Sequence, residues 1–218
     1  MCAARTGILV LTAVILMASV GLADVISPPT DDAAINMRDP DANAGFGDRM
    51  RVRNRIGHPS HPENWQSDGL VRFELCSTPR GSTVESATLY LYYFLYTDIS
   101  PGGRDLSCFR ITDDWDESTV TWNTRPTLAP ARTSGCVVPP IYGWMSWDVT
   151  VDVRAFVDGV EENHGWQLVD EVPFGGFDIP TVYLCSKEYG SSAPHLEIEW
   201  MQTPVASSTW SKIKALFR

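Results

Sequence analysis

The sequence predicts an all-β chain, a single sandwich of about eight or nine strands with one short helix. Three observations carry that expectation. Apolar and polar residues alternate over short runs, which is the two-residue period of a half-buried strand. Glycine and proline clusters break these runs at short, even intervals. The run Ala87–Tyr96 (A-T-L-Y-L-Y-Y-F-L-Y) has the length and the β-branched and aromatic density of a central strand.

Residues 1–23 read as a secretory signal. Arg5 gives one positive charge, Thr6–Val20 is a short apolar run, and Gly21-Leu22-Ala23 offers the small residues that place cleavage before Asp24. The apolar run is at the low end for spanning a bilayer, and no later segment is apolar enough, so no membrane span is expected after cleavage. The product is expected to be secreted or held at the cell surface. A formal net charge of −10 argues against nucleic acid as a partner, because phosphate repels it. Cys2 leaves with the signal. Cys76, Cys108, Cys136 and Cys185 remain, and an even count in an exported chain suggests two disulfides. Three connectivities are open; Cys108–Cys136 with Cys76–Cys185 is the preferred one, since it closes a short loop around residues 112–126.

The elements follow in order. A Pro- and Asp-rich leader runs into a short strand at Ala33-Ala34-Ile35, and Asn43–Gly47 is a glycine-rich turn. Met50–Arg55 is a strand with Met50, Val52 and Asn54 on one face and Arg51, Arg53 and Arg55 on the other. Ile56–Gly69 reads as a polar loop that includes His58 and His61. Leu70–Leu75 is a strand with Val71, Phe73 and Leu75 inward. Ala87–Tyr96 and Leu106–Ile111 follow. Thr112–Pro126 (T-D-D-W-D-E-S-T-V-T-W-N-T-R-P) reads as a loop folded back over the sheet, its acids shaping a turn and its tryptophans entering the core. Leu128–Pro140 reads as a proline-rich loop. Trp144–Thr150 resumes the sheet, Val151–Gly159 reads as the helix, and Gly165–Val169, Thr181–Cys185 and His195–Trp200 complete the strands. One domain spans 31–202; residues 203–218 form a linker and a basic amphipathic tail that reads as a docking or sorting signal.

With the strands placed, the chain resembles the DNRLRE domain. The matching pieces, in order, are Asp32-Ala33-Ala34-Ile35, Asn43-x-Gly45, Val71-Arg72-Phe73-Glu74-Leu75, Ser86-Ala87-Thr88-Leu89-x-Leu91, the run Trp115–Pro126, Trp147-Asp148-Val149-Thr150, Asn163-x-Gly165-Trp166, Ser186-Lys187-Glu188 and Pro194-x-Leu196. The resemblance implies a jelly-roll β-sandwich of the carbohydrate-binding-module kind, found in exported proteins. It also implies that Trp115, Trp122, Trp147 and Trp166 are structural. The four cysteines and the long Ile56–Gly69 loop depart from the pattern.

The candidate ligand contacts are then the aromatics expected in loops, Trp65, Tyr142 and Trp144, whose rings suit the C–H faces of pyranoses. Arg104 and Arg132 would pair with acidic sugars. No cofactor is required. Structural calcium is the ion to consider, with Asp32, Asn43 and Asp148 as the candidate ligands, since hard cations take carboxylate and amide oxygens. Asp113, Asp114, Asp116 and Glu117 lack the spacing of a calcium loop and read as a solvated turn. No nucleophile–base arrangement or hydrolase motif is present. The expected function is a non-catalytic module that binds a polysaccharide or a cell-surface glycan. The alternatives are a structural or adhesive surface protein without glycan binding, and a small polysaccharide-active enzyme.

Overall fold

The computed structural model describes residues 21–55, 65–75 and 82–202. The chain is all-β, with strands β1 (Gly21–Ile26), β2 (Asp31–Asn36), β3 (Arg49–Arg55), β4 (Trp65–Arg72), β5 (Ser82–Thr97), β6 (Asp105–Arg110), β7 (Ser134–Val137), β8 (Gly143–Asp148), β9 (Trp166–Asp170), β10 (Thr181–Cys185) and β11 (His195–Gln202), and one helix, α1 (Thr150–Val157). The 11 strands exceed the expected number for local reasons. β1 lies across the segment read as a cleavage site and pairs with β11. β7 has four residues, too few to show alternation, and lies inside the expected proline-rich loop. β4 begins at Trp65, inside the expected polar loop, and ends at Arg72 rather than Leu75. His58, His61, Cys76 and the 203–218 tail lie outside the described residues.

All strand ladders are antiparallel, in the order β1-β11-β5-β10-β3-β4-β9-β6-β7, with β2 on β4 and β8 on β5. β5 is sixteen residues long and organises one half, pairing with β8 along one edge and with β11 and β10 along the other. β3 turns the corner: Arg49–Val52 pair with β10, and Arg53–Arg55 pair with β4. The sheet thereby curls around one core, in which Leu89, Leu91, Trp147 and Ile198 meet Val71, Leu106, Cys108 and Leu168. Trp147 Nε1 on β8 donates to the Leu106 carbonyl on β6 across this core, 2.8 Å away.

The 112–126 segment does fold over the sheet. Trp115, Val120 and Trp122 form a second buried cluster with Ala33 and Ile35 of β2, Leu70 of β4 and Ile111. Asp116 accepts from the Ser118 amide, as expected of a turn acid. Arg125 donates to the Trp122 carbonyl and stacks on its ring. The helix starts one residue early at Thr150 and stops where Gly159 adopts φ 68°. Its Arg154 donates to the Val84 and Glu85 carbonyls of β5, which fixes the helix to the sheet.

Cys108, Cys136 and Cys185 are free thiols. The Cys108–Cys136 bridge is not formed, and the register explains why. Cys108 sits opposite Ser134, and Cys136 opposite Leu106, so the two thiols are diagonal rather than facing neighbours. Diagonal positions are roughly 7–8 Å apart at Cα, beyond ordinary disulfide reach. Burial pushes the Cys108 thiol well above its ordinary pKa, which leaves it inert.

Candidate functional site

β3 builds the most unusual surface. Its sequence, R-M-R-V-R-N-R, sends Met50 and Val52 into the core, so the two-residue period sends Arg49, Arg51, Arg53 and Arg55 to the opposite face. The ladder then places Tyr183 of β10 opposite Arg51, Ser67 of β4 opposite Arg53, and Trp65 opposite Arg55. The guanidinium carbons of Arg38, Arg51, Arg53 and Arg55 lie 4.6, 5.4, 4.1 and 5.6 Å from the centre of the Trp65 ring. Trp65 is pinned by its Nε1, which donates to Asn36 Oδ1 at 2.8 Å; the same oxygen accepts from Ser67 Oγ. Asn36, Asp39, Arg49, Arg51, Ser67 and Tyr183 line a concavity of ≈ 320 Å³ beside this cluster.

Arg49 is already paired, since Asp48 accepts from its Nε and Nη2 at 2.6 and 2.9 Å, so unopposed positive charge concentrates at Arg51 and Arg53. Arg53 is 3 % exposed, and burial followed by the charge of Arg51 brings its pKa down to about 10. Burial alone would raise the Tyr183 hydroxyl. Hydrogen bonds with Thr97 and Arg51 and the charges of Arg51 and Arg53 outweigh it, and its pKa falls. The Nε atoms of Arg51 and Arg53 are buried without a hydrogen-bond partner among the described residues. A guanidinium is a fixed fork of donors that is always charged, so burying such atoms unpaired is costly. A larger concavity of ≈ 380 Å³ around Arg72 lacks this character, because Asp31 and Asp114 already pair with that arginine.

The residues expected from sequence separate. Trp65 belongs to the arginine groove, on a strand rather than in a loop. Trp144 is also on a strand, β8, with 45 % exposure, held edge-on by Tyr92 and His195. Tyr142 precedes β8 and packs edge-on against Tyr93. Arg104 is committed to the fold: it makes a two-pronged pair with buried Asp170 at 2.6 and 2.7 Å and also reaches the Val172 carbonyl. Arg132 pairs with Asp105 at 2.7 Å and donates to Ser107. The residues that sequence reasoning left out of the site are Arg49, Arg51, Arg53, Arg55 and Tyr183. Their signal was available as arginine at every second position in an acidic chain.

The expected calcium set is also rearranged. Asp32 lies with Glu117 and Glu188, one ligand oxygen from each within 4.8 Å of the others. Asn43 joins them by donating to the Glu117 and Val120 carbonyls, both at 2.8 Å. Asp148 instead accepts from the Thr150 amide at 2.9 Å and takes no part. Lys187 Nζ bonds to Glu117 Oε2 and to the Thr30 carbonyl, and the Lys187 amide donates to Asp32 Oδ2 at 2.7 Å. The lysine ammonium thus supplies the charge that a hard cation would bring. Asp32 is almost fully buried, and burial pushes its pKa to about 7, with Glu188 and Glu117 adding to the rise and the Lys187 amide opposing it. The cluster reads as an ion-paired seam between β2, the 112–126 segment and the turn after β10.

No helix among the described residues is long and apolar enough to cross a membrane. Residues 23–200 match the family model of carbohydrate-binding module family 96. No curated protein matches the chain.

Proposed function

The chain belongs to carbohydrate-binding module family 96, and from that premise we propose that it is an exported, non-catalytic module whose arginine groove binds acidic polysaccharide. The observation that carries the reading is the packing of four guanidinium groups within 5.6 Å of the Trp65 ring. Like charges so close repel one another, and a bound carboxylate or sulfate relieves that repulsion. The ring and the guanidinium groups beside it offer surface to the C–H face of a pyranose. A uronate carries both features, an anionic fork and a flat hydrocarbon face. The curled sheet is read as a jelly-roll sandwich, and the module as secreted or held at the surface, with the 203–218 tail as a docking segment. Binding alone, without turnover, is the whole of the proposed activity.

Titration calorimetry with short oligouronates tests this. Arg51→Ala and Trp65→Ala are each expected to weaken binding, the arginine by about ten- to hundred-fold as the loss of charge-assisted hydrogen bonds implies. Neutral oligosaccharides are expected to bind far more weakly. Equal affinity for uronate and neutral chains, or wild-type affinity in Arg51→Ala, would remove the groove from the argument.

A further inference from the structure

The arginine groove does not end at Arg49. β3 runs antiparallel to β10, and β10 antiparallel to β5, so β3 and β5 run in the same direction across one outer face of the sheet. On β5, Leu89, Leu91 and Tyr93 face the core, which leaves Tyr90, Tyr92 and Phe94 on that outer face. Arg49 reaches over Phe94, its guanidinium carbon 5.7 Å from the ring centre. Tyr189, on the turn after β10, lies on the same ring with centroids 4.7 Å apart and is 41 % exposed. Tyr92, two residues back along β5, meets Trp144 edge-on at 5.2 Å. Trp144 meets His195 at 4.6 Å.

These rings are fixed by one another before any ligand arrives, and Trp144 and Tyr189 are the exposed members. Arginine also gives way to aromatic along this line, and Glu197 and Glu199 of β11 lie beyond it. Glu197 pairs with His195, whose pKa is lowered by burial, so no positive charge is expected there at neutral pH. Carboxylates are therefore welcome at one end of the track and unwelcome at the other.

We propose that the Arg49–Phe94–Tyr189–Tyr92–Trp144 line is a second group of subsites that extends the groove, so that the protein binds a long chain of pyranoses by its interior. Acidic units lie over the arginines, and the following units stack on Tyr189 and Trp144. This rests on the uronate reading of the groove. It adds that affinity grows with chain length and that the growth belongs to the aromatic rings.

The test is calorimetry with oligouronates of increasing length on the wild type, Trp144→Ala and Tyr189→Ala. Both side chains are partly exposed, so the variants are expected to fold, and circular dichroism checks this. Short oligomers should bind all three proteins alike. Longer oligomers should bind the wild type about five- to ten-fold more tightly than short ones, as one or two added aromatic contacts imply, and each variant should lose part of that gain. A gain that persists in both variants, or no gain with length, overturns the extension and leaves the groove standing. Failure of the shortest oligomers to bind at all overturns the groove reading, and the extension falls with it.

Discussion

Single residues show how buried charge is managed in this chain. Asp68 of β4 is 1 % exposed and accepts from Gln66 at 3.1 Å and from Gln167 at 2.9 Å. Burial nevertheless pushes its pKa from 3.8 to about 7. Folded Asp68 therefore holds its proton where the unfolded chain has released it. The contribution to stability is full below about pH 4 and is lost as pH rises through about 7; Asp32 acts in the same direction. Asp68→Asn should flatten this limb. Melting temperatures at about pH 5 and about pH 8 should lie closer together in the variant than in the wild type, and an unchanged gap would show that Asp68 does not titrate in this range. Lys187 is the second case. Its side chain is 19 % exposed and Glu117 is 10 % exposed, so removing the ammonium leaves a mostly buried carboxylate uncompensated. Lys187→Met should destabilise by about 1–3 kcal/mol, below the range for fully buried pairs because some solvent remains. Adding Glu117→Gln should recover part of that loss in a denaturant titration, since the two residues are in contact.

At the level of elements, the seam explains why widely spaced short motifs occur together. Asp32 on β2, the Asn43–Gly45 turn, Glu117 in the 112–126 segment and Ser186–Glu188 after β10 are far apart in sequence and meet in one polar cluster. Gly45 shows how closely they meet: a Cβ there would lie 2.0 Å from the Glu117 carbonyl oxygen. Gly45→Ala must therefore push the turn away from Glu117, and a loss of about 1–3 kcal/mol is expected on unfolding in denaturant. Wild-type stability would mean that the turn can shift freely. This juncture was only half legible in the sequence. The period-two runs gave the strands and the faces of β3, which depend on local alternation, while the burial of Trp115, Trp122, Trp147 and Trp166 was implied by the family resemblance. β1 and β7 were not legible, since both are defined by the partner they pair with rather than by their own pattern. The groove was missed for a related reason. Arginines on the outer face of one strand look like ordinary solvated charge until the ladder sets Trp65 and Tyr183 among them. Arg104 and Arg132 show the opposite case, loop cations whose acidic partners are brought up only by folding.

At the scale of the whole molecule, two fields oppose one another. The chain carries a formal net charge of −10, while four arginines, Arg38, Arg51, Arg53 and Arg55, are gathered around Trp65. On the proposed reading, a polyanionic glycan far from the surface meets the net charge and is repelled, and within a few ångströms it meets the arginines and is held. Salt acts on these two ranges unequally. The screening length is about 30 Å at about 10 mM salt and about 8 Å at about 150 mM. Raising salt over that interval removes most of the distant repulsion but little of the contact attraction inside a partly buried groove. Association with an oligouronate should therefore become faster over the first part of the interval, where a basic protein would only become slower. Dissociation should rise throughout, because contact ion pairs weaken steadily with screening. Stopped-flow association across a salt series would reveal this as a rate that rises before it falls. A rate that falls from the lowest salt onward would mean that the arginine groove, and not the net charge, governs approach.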